Sequence, residues 1–243
     1  MNLVLDIGNS TVKMAVFKGD YLVESFNSTA DQLEHSVDRI LEKHQSINRA
    51  LIAAVSDFNL GIIEKLSAQC VVQKLDHTFN FPFKNLYKTP KSLGLDRVAL
   101  ASGAVNQYPK TNVLIIDAGT CMTFDFVDVK SQYWGGAISP GLRMRYQAIS
   151  SQTSRLPHLS PEVPRSVMGE TTKDSIHSGI VHGMLQEIEG TVGVYRNKFP
   201  ELTVVMTGGD RDFLCKQLKI SIFAVSNLLL EGLNHILELN SEK

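Results

Sequence analysis

Two stretches of the chain carry one pattern, and that repetition narrows the choice of fold more than anything else in it. "LVLDIGNSTVKMAVF", from Leu3, and "LIIDAGTCMTFDFV", from Leu114, each run an apolar strand into an aspartate, turn at a glycine and leave along a second strand. Aligned, Asp6 matches Asp117 and Gly8 matches Gly119. One such hairpin is weak evidence; two form an internal repeat, which points to a duplicated domain rather than a long array.

The intervening pattern fits that reading. Leu3 to Leu5, Val12 to Phe17 and Tyr21 to Phe26 read as a three-stranded meander with turns at "GNS" and "KGD". Leu33, Val37, Ile40 and Leu41 recur at helical spacing, and strands at Ala50 to Val55 and Cys70 to Leu75 flank a helix over residues 60–68. "DHTFNFPFKNLYKTPKSLG" has no clean period and reads as a loop that packs or binds something. A helix follows from Asp96. The second half repeats the scheme through a helix near Arg143 to Ser150, a long helix from Thr172 to Asn197, the strand "TVVMTGG" and a terminal helix, Leu228 to Leu239. The expectation is an α/β chain of two domains, 1–110 and 111–243, each a mixed sheet with flanking helices.

The turns suggest chemistry. Glycine lets backbone N–H groups approach an anion, and small hydroxyls add donors without bulk. An aspartate in each turn would nevertheless repel phosphate, at a cost of roughly 4 kcal/mol for two unit charges about 4 Å apart at an effective dielectric near 20. A cation between them removes the conflict, and magnesium is the economical choice because one or two carboxylates with phosphate oxygens and water suffice to hold it. On this reading Asp6 and Asp117 arrange metal, while Gly8, Asn9, Ser10, Thr11, Gly119 and Thr120 hold phosphoryl oxygens. Lys13, on the departing strand, is either a phosphate contact or a solvated strand lysine. A blander account also stands: Asp beside Gly is the ordinary material of an Asx turn. Neither GxxxxGK[ST] nor GxGxxG occurs.

Composition excludes other classes. With 24 basic and 25 acidic residues, net charge −1, the chain has no broad field to gather nucleic acid or anionic lipid. No apolar run approaches the roughly 20 residues that span a bilayer. The three cysteines, Cys70, Cys121 and Cys215, lie far apart, which fits a reducing compartment, so the cytoplasm is expected. The histidines show no zinc-ligand spacing.

"DIGNST" at Asp6, "DAGTCMTFD" from Asp117 and "TGG" at Thr207 to Gly209 resemble the two phosphate motifs and the adenosine motif of the acetate-kinase, sugar-kinase, heat-shock-chaperone and actin superfamily. Within it, "YKTPKSLGLDR" (Tyr87 to Arg97) followed by "GGAISPGL" (Gly135 to Leu142) is similar to type III pantothenate kinase, in order over nearly the whole chain. Ser10 stands where many members carry threonine, and keeps the hydroxyl. The resemblance implies duplicated ribonuclease-H-like (actin-like ATPase) domains, a homodimer, and transfer of the ATP γ-phosphate to pantothenate, the first step of coenzyme A synthesis. It implies Asp96 as the base, with Tyr87, Gly94, Leu95, Arg97 and Thr172 contacting substrate. Asp117 matches a ligand of the monovalent cation, potassium or ammonium, and Thr120 an ATP contact. The first turn, Ile7 and Val12 included, would bind ATP, with the adenine beside Gly208 and Gly209.

The residues themselves leave alternatives open. Asp96 suits the N-cap of "RVALASGAV", and Thr172 the cap of the long helix. Arg97 suits a surface ion pair, Tyr87 a core ring, and "TGGD" a strand-to-helix turn capped by Asp210.

Overall fold

The computed structural model describes residues 1–8, 11–54 and 61–241. They divide into two compact units: Met1–Pro109 with Ser131–Tyr133 and Asn227–Lys243, and Lys110–Lys130 with Trp134–Ser226.

In the first unit β1 (Asn2–Ile7) lies between β2 (Val12–Lys18), antiparallel to it, and β4 (Arg49–Ala54), parallel to it. β3 (Tyr21–Ser28) and β5 (Val71–Lys74) complete the order β3-β2-β1-β4-β5. Leu3, Val4 and Leu5 are fully buried, as a central strand covered on both faces requires. Strand alternation sends Leu3, Leu5 and Ile7 into one cluster with Leu33, Val37, Ile40 and Leu41 of α1 (Leu33–Lys43) and Ile62 and Leu66 of α2 (Gly61–Ser67). The opposite face meets the helix that ends the chain, described below with its partner.

The expected loop before Asp96 holds a two-residue strand, β6 (Lys84–Asn85), parallel to Gln132 and Tyr133. No periodicity announces so short a strand, because its register is set by the edge it joins. Next come a 3₁₀ turn, Pro90–Ser92, and α3 (Leu95–Gln107).

In the second unit β7 (Asn112–Ala118) lies antiparallel to β8 (Cys121–Val127), whose other neighbour is β9 (Gln132–Pro140). After α4 (Leu142–Ser151) and α5 (Thr172–Lys198), β10 (Leu202–Thr207) returns parallel to β7, and α6 (Arg211–Cys215) leads to β11 (Phe223–Ala224). Within this six-stranded sheet, which β6 completes beside β9, the order β9-β8-β7-β10-β11 repeats that of the first sheet. Along α5, Ile176, Ile180, Met184, Ile188 and Val192 pack into one core with Leu114, Ile116 and Ala118 of β7. The apolar stripe of this long helix is therefore a core stripe.

The terminal helix, α7 (Leu228–Leu239), groups with the first unit, whereas the division at residue 110 assigns it to the second. The reason is packing: it lies on α3 and on the face of β1 away from α1. A Cβ on Gly232 would meet Ala99 O at 1.8 Å, and one on Gly103 would meet Leu228 O at 2.4 Å. Two glycines thus bring the α3 and α7 backbones together. No helix among the described residues is long and apolar enough to cross a membrane.

Candidate active site

In the first unit the alternation that buries Leu3, Leu5 and Ile7 turns Asn2, Val4 and Asp6 to the face covered by α7. Asn2 Nδ2 donates to Asn234 Oδ1 at 2.8 Å and to Glu238 Oε1 at 2.6 Å, both on α7. Asp6, opposite Ala53 of parallel β4, therefore stands where two parallel strands end. Ligands favour that position in open α/β sheets. Here a cavity of about 200 Å³ is lined by Asp6, Ala53, Ala54, Leu93, Gly94, Leu95 and Asp96.

The start of α3 shapes the other wall. Gly94 is the N-cap residue and Asp96 sits in the first turn, where the helix dipole favours a carboxylate. Asp96 Oδ1 accepts the Arg97 N–H at 2.8 Å, so Asp96 is not the cap the sequence allowed. A Cβ on Gly94 would lie 2.3 Å from that same oxygen. Glycine is thus what leaves the carboxylate its place. Arg97, only 5% exposed, is no surface ion pair. Its guanidinium carbon lies 5.7 Å from the centroid of the half-buried Tyr87 ring, a cation–π arrangement.

The first hairpin closes when the Gly8 N–H donates to Thr11 O at 3.1 Å, and a Cβ on Gly8 would press on that oxygen at 3.1 Å. Thr11 is exposed, whereas Ile7 and Val12 are buried and present backbone rather than side chains to anything in the turn. Lys13 pairs with Asp6 across the strands. Asn9 and Ser10 lie outside the described residues.

The second unit builds a matching turn. Leu114, Ile116 and Ala118 enter the core beneath α5, so Asp117 faces the other way, in register with Thr123 and Thr207. The Gly119 N–H donates to Cys121 O at 3.1 Å, and Thr120 is exposed. Gly208 has φ +95°, and a Cβ there would lie 2.5 Å from both Asp117 Oδ1 and the Ala118 carbonyl. Conformation and space both demand glycine. The Asp210 N–H donates to Ala118 O at 3.0 Å and ties this turn to β7. Burial raises the Asp210 carboxyl above its ordinary range, against the opposing pull of Arg143. Asp210 opens α6 without a side-chain cap bond.

Thr172 also belongs to the second unit, exposed at the first helical position of α5. The cap is its neighbour Thr171, whose Oγ1 accepts the Asp174 N–H at 3.1 Å. Ala53, Ala54 and Leu93 also line the cavity, although none carries a chemical group that marks it in the sequence. The usable signal was the small pair ending "ALIAA" beside β1, where a side chain larger than methyl would fill the cavity.

A strand order present twice, with an aspartate at the end of each first strand and a glycine turn behind it, defines the duplicated α/β fold of the actin-like ATPase class. Solved structures agree on the fold. The ROK family glucokinase from Streptomyces griseus, solved with glucose and AMPPNP, superposes with a TM-score of 0.54 at 11% identity, covering 100% of this chain and 99% of that one. A Campylobacter jejuni protein described as a Baf family transcriptional activator gives 0.64 at 22% identity, over 99% and 100%. The model of the type III pantothenate kinase family matches residues 2–193. The type III pantothenate kinase of Flavobacterium johnsoniae is 45% identical over 96% of both chains, and that of Bacteroides fragilis (strain YCH46) 40% identical over 99% of both. The chain belongs to the type III pantothenate kinase family. Its reaction is the phosphorylation of pantothenate in coenzyme A biosynthesis, a kinase reaction that uses ATP and a divalent metal.

Proposed function

We propose that Asp96 is the general base of this transfer and that the first unit's cavity receives the pantothenate hydroxyl. The hydroxyl oxygen bonds to the γ-phosphorus as the bond from that phosphorus to the β–γ bridging oxygen breaks. ADP leaves, and the hydroxyl proton passes to Asp96, giving 4'-phosphopantothenate. Such transition states are loose, so the protein chiefly aligns the nucleophile and offsets charge. Arg97 offers a planar fork to the pantothenate carboxylate, more directional than a lysine. Tyr87, Gly94 and Leu95 complete the acceptor side, and Thr172 contributes a hydroxyl. The observation that carries this reading is the placement of Asp6 and Asp96 in one cavity, with Gly94 clearing room for the Asp96 carboxylate.

For ATP, the residues are Asp6, Ile7, Gly8, Asn9, Ser10, Thr11, Val12 and Lys13 in the first unit, and Thr120, Gly208 and Gly209 in the second. The donor set fits cations shared with substrate. Among the described residues no group of three or more His, Cys, Asp or Glu could hold a metal. Magnesium at Asp6, and potassium or ammonium at Asp117, would take their other ligands from phosphate oxygens, backbone carbonyls and water. At Asp117, glycines at 119 and 208 keep bulk off the carboxylate. The cations supply positive charge against the triphosphate. We also place the enzyme in the cytoplasm as a homodimer, for which sedimentation should return twice the 26.9 kDa chain mass.

ADP release measured with magnesium should require pantothenate, and should collapse when sodium replaces potassium and ammonium. Undiminished turnover in sodium alone would remove the cation role from Asp117. Gly94→Ala provides a sharper check, because its backbone angles, φ −56° and ψ 134°, suit alanine while its Cβ displaces the Asp96 carboxylate. Turnover should fall about 10²-fold, the effect of misplacing a reacting group by about 1 Å, in a protein that melts within a few degrees of wild type. An active, correctly folded Gly94→Ala would separate Asp96 from the chemistry.

A further inference from the structure

Arg97 and Tyr87 stand on different parts of the first unit. Arg97 is anchored by α3, but Tyr87 belongs to residues 76–94, a segment whose only regular structure is two residues of strand and one 3₁₀ turn. Holding a ring still in such a segment costs conformational entropy. Something must fix Tyr87 if Arg97 is to lie on it.

Two sets of contacts do so. The Lys84 N–H donates to Ser131 O at 2.8 Å and the Leu86 N–H to Tyr133 O at 2.9 Å, so the backbone on either side of Asn85 is pinned to the start of β9. The Tyr87 N–H then donates to Asn85 Oδ1 at 2.9 Å, which sets the direction in which the chain leaves β6. The second set is aromatic. Tyr133, fully buried, packs its ring 6.3 Å from that of Tyr87 at a 50° tilt, and 5.7 Å from that of Phe83 at 44°. Phe83 in turn stacks on Phe81 at 5.8 Å. These separations and tilts are those of favourable aromatic pairs. A continuous stack runs from Phe81 through Phe83, Tyr133 and Tyr87 to the guanidinium of Arg97. Tyr133 is its central and most deeply buried aromatic member, and like the rest of the stack it does not line the cavity.

We infer that Tyr133 is a positioning residue for the acceptor: its ring fixes Tyr87, and through Tyr87 fixes the Arg97 guanidinium in the orientation that receives the carboxylate of the small acid substrate. The inference rests on the acceptor roles proposed for Tyr87 and Arg97. It places the control of acceptor affinity partly outside the residues that touch the acceptor.

The test is steady-state kinetics with ATP and pantothenate varied separately. Tyr133→Leu removes the ring and should raise KM for pantothenate about twofold to tenfold, the factor one aromatic pair supplies. KM for ATP, and kcat at saturating pantothenate, should stay within about a factor of three of wild type. Tyr133→Phe keeps the ring and should restore the wild-type KM. In a Tyr87→Ala background Tyr133→Leu should add no further rise, because both changes remove the same support; additive effects would mean independent roles. A folded Tyr133→Leu with unchanged pantothenate KM, or with kcat and both KM values degraded together, would overturn the inference. If Tyr133→Leu does not fold, Asn85→Ala decides: it removes the bond to the Tyr87 N–H and should give the same selective rise, and its failure to do so overturns the proposal. The underlying reading fails differently. Were Tyr87→Ala to leave pantothenate KM untouched, the acceptor role of Tyr87 would fall; if that variant moves KM and Tyr133→Leu does not, only the positioning role falls.

Discussion

Asp96→Asn should lower kcat by about 10²–10⁴, the usual worth of a positioned general base. Asparagine keeps the volume of the side chain, and its carbonyl oxygen can still accept the Arg97 N–H that Asp96 Oδ1 accepts at 2.8 Å. The start of α3 should therefore survive, and what is lost is the capacity to take a proton. KM for ATP should stay near wild type, because no ATP contact is assigned to Asp96. Thermal melting alongside the kinetics separates this from damage, and the variant should melt within a few degrees of wild type. A wild-type kcat in Asp96→Asn would mean that the hydroxyl proton goes elsewhere, and the cavity beneath Asp6 would need another account.

Gly232→Ala should be the most damaging small substitution in the first unit. Alanine in a helix interior normally gains about 1 kcal/mol over glycine. Here its Cβ would sit 1.8 Å from Ala99 O, 2.7 Å from Ala99 C and 2.9 Å from Gly103 N, all backbone atoms of α3. No side chain can rotate away, so α7 must back off from α3. Overpacking of this kind costs about 1–3 kcal/mol and occasionally more. The upper end of that range outweighs the propensity gain, and a net loss of about 2 kcal/mol or more should appear in denaturant unfolding. Gly190→Ala in α5 supplies the contrast, since nothing lies within 4 Å of its added methyl. It should be neutral or stabilising by up to about 1 kcal/mol. Equal effects from the two would show that the α3–α7 approach is looser than the distances state. Because α3 carries Asp96 and Arg97 at its start, Gly232→Ala should also lose turnover before it unfolds.

The two hairpins were legible because strand alternation and glycine turns are local features. Five consecutive residues suffice to show that Leu3, Leu5 and Ile7 share a face, and three more show the turn. The placement of Asp6 and Asp117 at corresponding strand ends follows from that pattern, and the five-strand order the two sheets share follows from its repetition. The motif "LGLDR" likewise marked the start of α3 at Leu95, one residue from the expected Asp96. Single-residue questions were beyond such patterns. Thr171 and not Thr172 caps α5, and Asp96 lies inside the first turn rather than at the cap, because a shift of one residue leaves the apolar period unchanged.

Sequence by itself determined that a strand, an aspartate and a glycine turn occur twice, and that an aspartate–arginine pair opens a helix. Those facts depend on neighbours a few residues apart. Tertiary structure alone decided that α7 joins the first unit, that Tyr133 reaches across to hold Tyr87, and that Gly94 is empty where Asp96 needs space. Each of these joins residues distant along the chain, or turns on the direction of one side chain, and it is close packing, not local propensity, that selects among the arrangements the chain permits.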